Sequence, residues 1–186
     1  MNEGISAKTI WNDAARTGLM LGIVTVALQG LTQWLTGMMS NAVLLGLVEF
    51  FLWAAKFIIC ILLMRMFLKN FVKAHPIAIN KDTRHYGEAI AVLSAFIVAA
   101  YTLIFYLYIS PDTIQESMDM ISESYSSFLT SSQLEELENA AADLPIISFF
   151  TVLFYCSLYG TILSGILSNN IPDRKSIFDE PDADEQ

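Results

Sequence analysis

A lysine stands in the middle of an otherwise apolar stretch, residues 49–65, which reads EFFLWAAKFIICILLMR. A helix formed by this stretch has no polar face for Lys56, so we expect the solvent around it to be lipid. Ionisable residues inside a membrane are rare and commonly face a substrate site or an ion path. The favoured interpretation is nevertheless a structural lysine, paired for packing, whose ammonium extends along the helix toward the membrane surface.

Four other polar residues could share a site with this lysine. Glu49 lies seven positions earlier, on the same helix face as Lys56. Three residues of the other predicted spans lie at similar depth, namely Gln29, Tyr101 and Thr102. The sequence therefore predicts a candidate intramembrane polar site made of Glu49, Lys56, Gln29, Tyr101 and Thr102, which would bind a substrate or an ion.

The remaining residues with chemical potential do not form a recognisable reactive set. Cys60 and Cys156 both fall inside apolar runs, where thiols usually pack as small hydrophobic groups. His75 and His85 are ten residues apart and lack the spacing of metal ligands. The chain contains no G-x-S-x-G, P-loop or H-E-x-x-H motif. We therefore expect no catalytic residues, no metal and no cofactor, and hence a protein that is not an enzyme.

The composition indicates a helical membrane protein. Hydrophobic residues make up 54 % of the chain and charged residues 16 %, against about 25 % charged residues in a soluble domain. A basic surface for nucleic acid is absent from the sequence. The predicted fold is all-α and polytopic, with four transmembrane helices near residues 15–35, 44–68, 87–109 and 146–168.

The positions of lysine and arginine predict how these spans are oriented. Basic residues occur before the first span, between the second and third, and after the fourth, and they are absent from the other two connections. Because cytoplasmic loops of membrane proteins carry the excess of Lys and Arg, both termini should be cytoplasmic. The connection 110–144 should then face outward. The basic residues that decide this are Lys8, Arg16, Lys69, Lys73, Lys81, Arg84, Arg174 and Lys175.

The outward connection is patterned as two short amphipathic helices. Ser110 and Pro111 form a typical helix start, and Ser132-x-x-Glu135 resembles a capping box for a second helix. All eight charged residues between 110 and 144 are acidic, which disfavours docking on anionic lipid headgroups. Two interpretations stay open: a cap that packs on the bundle, and a binding surface for another protein.

Small residues and one ion pair are predicted to hold the spans together. Arg65 and Glu88 should lie at matching depth in an antiparallel hairpin and form a structural ion pair. Small residues let helix backbones approach closely, and packing within the chain is favoured over dimerisation. The small residues concerned are Gly18, Gly22, Gly160, Ser164 and Gly165. Residues 1–170 should form the membrane domain, and 171–186 an acidic disordered tail.

Several stretches resemble a known family. The start WNDAARTGLMLGIV, the junction HYGEAIAVLSAF and the exit YTLIFYLYISPD carry the resemblance, together with FLTSSQLEELENAAADL. They resemble the four-helix inner-membrane proteins of Bacteroidetes grouped as domain-of-unknown-function family number 4199. The resemblance implies a bacterial inner-membrane location and no established activity. Its members are often encoded near a polyprenyl-phosphate glycosyltransferase, which implies a possible partner.

Three functions remain open at the level of sequence. The favoured one is a non-enzymatic membrane subunit or scaffold that binds a partner protein. The first alternative is a small oligomeric transporter or channel that uses Glu49 and Lys56. The second alternative is a lipid-modifying or lipid-binding protein.

Overall fold

The computed structural model describes residues 5–38, 42–125 and 130–171, and its regular elements in these ranges are all helices. There are five α-helices in the described ranges: α1 (Ala7–Gly37), α2 (Ala42–Ala74), α3 (Asn80–Ile104), α4 (Asp112–Tyr125) and α5 (Ser131–Asn169). A π-helical turn, Phe105–Ile109, extends α3. The predicted tail lies outside the described residues apart from Ile171, which is buried against the bundle.

Four of these helices are long and apolar enough to cross a membrane, which confirms the predicted fold class. They are Ala7–Gly37, Val43–Ala74, Asn80–Ile109 and Ala141–Asn169. Each predicted span falls within one of them. Hydropathy locates such segments well because every backbone polar group in lipid must be paired within its own helix. The four helices fit a multi-pass membrane protein.

Helix α3 is the centre of the bundle, and α1 packs along one side of it. A Cβ atom at Gly18 would lie 2.9 Å from the Cβ atom of Leu93 and 3.3 Å from the carbonyl oxygen of Ile90. A Cβ atom at Gly22 would lie 2.9 Å from the Cβ atom of Ile97. The two glycines of α1 thus remove the side chains that would otherwise hold α1 and α3 apart.

Helix α5 packs on another side of α3 through the same kind of contact. A Cβ atom at Gly160 would lie 3.3 Å from the Cα atom of Ala91, and a Cβ atom at Gly87 would overlap the side chain of Ser164. Ser164 is fully buried and donates a hydrogen bond of 3.0 Å to the carbonyl oxygen of Arg84. Gly165 differs, because a Cβ atom there would have no described neighbour within 4 Å.

Helix α2 packs well only at the end that leads to α3. Buried residues of α2 and α3 meet there, among them Met64, Leu68, Phe71 and Tyr86. Helix α2 contacts α3 much less than α1 and α5 do. The first half of α2 instead carries a row of aromatic rings that is largely exposed. The bundle is therefore tight at the α2–α3 end and looser in its middle.

The segment after α3 differs in part from the prediction. Helix α4 begins at Asp112, one residue after the start predicted at Pro111, and lies against α5. The second predicted short helix is helical, but it continues into the fourth span as one helix of 39 residues that passes through Pro145. Strong helix formers (Leu, Glu and Ala) dominate 134–144, which explains why the chain stays helical despite the proline.

The predicted capping box of that second helix is shifted. Helix α5 begins at Ser131, and the backbone N–H of Thr130 donates a hydrogen bond of 2.9 Å to Oε1 of Gln133. The expected pair Ser132 and Glu135 is therefore wrong as the cap. A glutamine three residues after a threonine satisfies the same spacing rule, and the sequence rule alone does not choose between the two registers.

Candidate functional site

A cavity of about 160 Å³ lies in the middle of the bundle, where α2 stands away from its neighbours. All four membrane-spanning helices contribute to its wall. Its α3 side is made of small and medium side chains, including Ala91, Ala95 and Val98, and its α2 side includes the rings of Trp53 and Phe57. The large rings keep the backbone of α2 away from α3, and the small α3 side chains do not fill the space that remains.

Lys56 lines this cavity near the middle of α2. Its side chain is half-buried. It forms no ion pair with any residue in the described ranges, and no hydrogen bond joins it to them. A cation in a low-dielectric site is costly unless an opposite charge or water accompanies it. The structure therefore places a lysine that has no charged partner in the described ranges beside an apolar cavity in the middle of the bundle.

The hydroxyl groups in the wall are of two kinds. Thr25 donates a hydrogen bond of 2.8 Å to the carbonyl oxygen of Leu21, and Ser94 donates one of 3.0 Å to that of Ala91. Such bonds to a preceding turn satisfy hydroxyl groups within their own helix. The hydroxyl of Tyr159 is different, because it is buried and has no partner among the described residues. Tyr159 thus adds to the wall a buried hydroxyl that no described residue uses.

Of the five residues predicted to form a polar site, the structure brings only Lys56 to the cavity. Glu49 is exposed on the outside of α2, and Gln29 is half-buried on α1 away from the cavity. Tyr101 donates a hydrogen bond of 2.9 Å to Oε1 of Gln33. Thr102 donates to the carbonyl oxygen of Val98 within α3. Similar depth did not bring these side chains together, because depth leaves the rotation of each helix undetermined.

Sequence reasoning missed the residues that actually accompany Lys56. Both cysteines line the cavity and neither forms a disulfide, and Sγ of Cys60 lies 3.7 Å from Oγ1 of Thr25. Cys60 lies one helical turn after Lys56, and the Cys156–Tyr159 edge of α5 faces the same space. The signal available in the sequence was the spacing of four between Lys56 and Cys60, which places them on one helix face. Treating the thiols only as packing groups concealed it.

A second polar cluster lies at the α2–α3 end and fixes the helices to each other. Nε2 of His75 lies 2.8 Å from Oδ2 of Asp13. The hydroxyls of Thr17 and Tyr86 share a hydrogen bond of 3.0 Å. The Tyr86 ring stacks on Phe71 with centroids 4.0 Å apart. These contacts join α1, the end of α2 and α3 to one another.

Asp82 holds the start of α3. It is buried, and its Oδ2 accepts hydrogen bonds of 3.3 Å from the backbone N–H groups of Ile5 and Ile79. The carboxylate therefore caps α3 and attaches the segment before α1 to it. This role was not predicted, because nothing in the sequence indicates that residue 5 approaches residue 82.

The predicted ion pair between Arg65 and Glu88 is wrong. Glu88 pairs with Nε of Arg84 at 2.9 Å, one turn earlier on α3, and its other oxygen lies 3.7 Å from Nδ1 of His85. Arg65 is exposed on α2. A partner on the same helix needs no particular helix rotation, so the local pair forms more readily than the one between helices.

Within the described ranges, no three His, Cys, Asp or Glu side chains are grouped as they would be around a metal ion. The comparisons with known proteins add no assignment: no protein family, no curated protein and no solved structure matches the chain.

Proposed function

We propose that this chain is a non-enzymatic subunit of a bacterial inner membrane, which binds a partner protein through a helical projection formed by α4 and the first part of α5. The length of α5 supports the proposal. Its 39 residues span about 58 Å at 1.5 Å per residue, whereas the hydrocarbon core is about 30 Å thick. The residues before Ala141 therefore extend beyond the apolar span, and α4 lies against α5.

The charge of this projection supports a protein partner over a lipid surface. Exposed carboxylates stand along both helices, at Asp112, Glu116, Asp119 and Glu136. The sequence holds no lysine or arginine between Arg84 and Arg174 to balance them. Anionic headgroups would be repelled, whereas a protein surface rich in lysine and arginine would be attracted and guided into contact.

The proposed orientation follows from the opposite end of the bundle. Lys69, Lys73, Lys81 and Arg84 all lie at the α2–α3 end, and the positive-inside rule assigns such an end to the cytoplasm. The α4 projection would then face the periplasm, and both termini would be cytoplasmic. The resemblance noted in the sequence adds one named candidate partner, a polyprenyl-phosphate glycosyltransferase.

Crosslinking in native membranes tests the proposal. We expect wild-type protein to be crosslinked through α4 to a defined partner, and the triple variant Asp112→Asn, Glu116→Gln, Asp119→Asn to lose most of that product. The matched control neutralises exposed bases at the other end, Lys69→Gln and Lys73→Gln, and should retain it. A triple variant that is crosslinked as well as wild type would refute the role of the projection.

A small transporter is the second candidate, and the cavity around Lys56 is the observation that favours it. Glu49 takes no part, because it is exposed outside the cavity. Proteoliposomes that contain wild-type protein should then show a flux of anions that Lys56→Met abolishes. Equal flux in empty liposomes would remove this candidate.

A further inference from the structure

We propose that the cavity around Lys56 binds an amphiphile that has a small oxyanion headgroup and an apolar tail, of which a long-chain carboxylate is the simplest example. The headgroup would lie against Lys56, and the tail would leave the bundle between α2 and α5. This site is independent of the partner surface on α4, since the two lie in different parts of the molecule.

The charge of the cavity determines the kind of headgroup. The ammonium of Lys56 has no carboxylate partner in the described chain, and the buried hydroxyl of Tyr159 has no acceptor. The ammonium can only donate, and the phenol can donate as well as accept, so a ligand with negatively charged acceptor oxygens matches both groups. An oxyanion would compensate the lysine in a region where solvent screening is weak.

The volume of the cavity limits the size of that headgroup. About 160 Å³ is available, and engineered protein cavities of about 150 Å³ hold one benzene molecule. A carboxylate with its first few carbon atoms fits this space, and a complete acyl chain does not. The rest of the ligand must therefore lie outside the cavity.

The opening between α2 and α5 gives the tail its path. Trp53 of α2 and Tyr155 of α5 both line the cavity, yet they are 58 % and 64 % exposed on the outside of the bundle. Side chains that belong to both surfaces mark the place where the cavity reaches the lipid. Phe154 and Leu158 continue an exposed apolar surface beside it. An acyl chain on this surface stays in an environment like that of the surrounding lipid tails.

Native mass spectrometry of protein freed of lipid in a mild nonionic detergent tests the site directly, with palmitate as the probe. We expect one palmitate per chain. Lys56→Met should weaken its binding about tenfold or more, because it removes a charge-assisted hydrogen bond. Lys69→Met changes an exposed lysine of the same helix and should bind as wild type does. Lys56→Arg should retain binding, and Tyr159→Phe should weaken it about two- to fivefold.

Two probes separate headgroup from tail. Hexadecanol has the tail without the charge, and acetate has the charge without the tail; both should bind much more weakly than palmitate. Equal palmitate binding by Lys56→Met and wild type would overturn the proposal, as would hexadecanol that binds as tightly as palmitate. Acetate that binds as tightly would instead assign the cavity to free anions and overturn the role of the tail. If Lys56→Met does not fold, Tyr159→Phe and the two probes decide the question in otherwise native protein.

Discussion

Helix α3 meets its neighbours in two different ways. Against α1 and α5 it packs through glycine and alanine, at Gly18, Gly22, Gly87 and Gly160, where an added Cβ atom would collide with the facing helix. Against the middle of α2 it leaves a cavity lined by aromatic rings and by a lysine that has no ion-pair partner in the described ranges. The same central helix thus forms a close-packed contact on two sides and a space on the third.

The close-packed contacts and the cavity are expected to serve different purposes, namely stability and ligand binding. Because lipid tails are as apolar as the side chains, close packing is what holds membrane helices together, and the small residues provide it. A charged residue at the same depth adds nothing to such packing and is usually retained for function. We therefore expect substitutions at the glycine contacts to act on stability, and substitutions at Lys56 to act on binding.

The largest effect is expected at the glycine contacts. Gly87→Val would force side-chain atoms into Ser164 and Leu68, and overpacking of this kind costs about 1–3 kcal/mol. The matched control is Gly165→Val on α5, which has open space around it and should change stability by less than about 0.5 kcal/mol. Unfolding by a denaturing detergent in micelles measures both. Equal losses for the two variants would refute the assignment of Gly87 to a close contact.

A smaller loss is expected where Asp82 holds the start of α3 against the segment before α1. Asp82→Ala leaves two backbone N–H groups without an acceptor, which should cost about 1–2 kcal/mol. Asp13→Ala breaks the contact with His75. The side chain of Asp13 is 39 % exposed and that of His75 is 27 % exposed. Solvent screening limits that loss to less than about 1 kcal/mol. The same unfolding assay should rank Asp82→Ala as the more damaging, and the reverse order would contradict the capping role.

The smallest effect is expected for the ion pair within α3. A double-mutant cycle on Arg84 and Glu88 should give a coupling of about 0.3–0.5 kcal/mol, as expected for a pair one helical turn apart. The parallel cycle on Arg65 and Glu88 should give none, because Glu88 does not pair with α2. A coupling in the second cycle as large as in the first would restore the pair between helices.

The sequence predicts the helical class and the membrane spans of this protein well. The four spans and the all-α class follow from hydropathy, since a helix in lipid needs a long apolar run, and the isolated charge of Lys56 marked the functional candidate. Contacts between helices were less predictable, because they depend on the rotation of each helix about its axis. Glu49, Tyr101 and Thr102 therefore did not join Lys56.

The continuity of α5 was missed for a related reason. Proline commonly ends a helix, so local sequence rules place a helix boundary at Pro145. The structure carries the helix through that position. The cavity could not be predicted from the sequence, because it depends on which side chains of the four helices meet when the bundle assembles.

The most direct test of a binding role for Lys56 is the stability of Lys56→Met, measured in lipid-free micelles with and without palmitate, beside Lys69→Met. A lysine in the middle of a membrane helix costs about 3 kcal/mol on insertion scales, so we expect Lys56→Met to be more stable than wild type without palmitate. Palmitate should stabilise wild type and Lys69→Met, and at the same palmitate concentration it should stabilise Lys56→Met much less. If Lys56→Met is instead less stable, and palmitate stabilises all three proteins equally, Lys56 is a packing residue and the account is wrong.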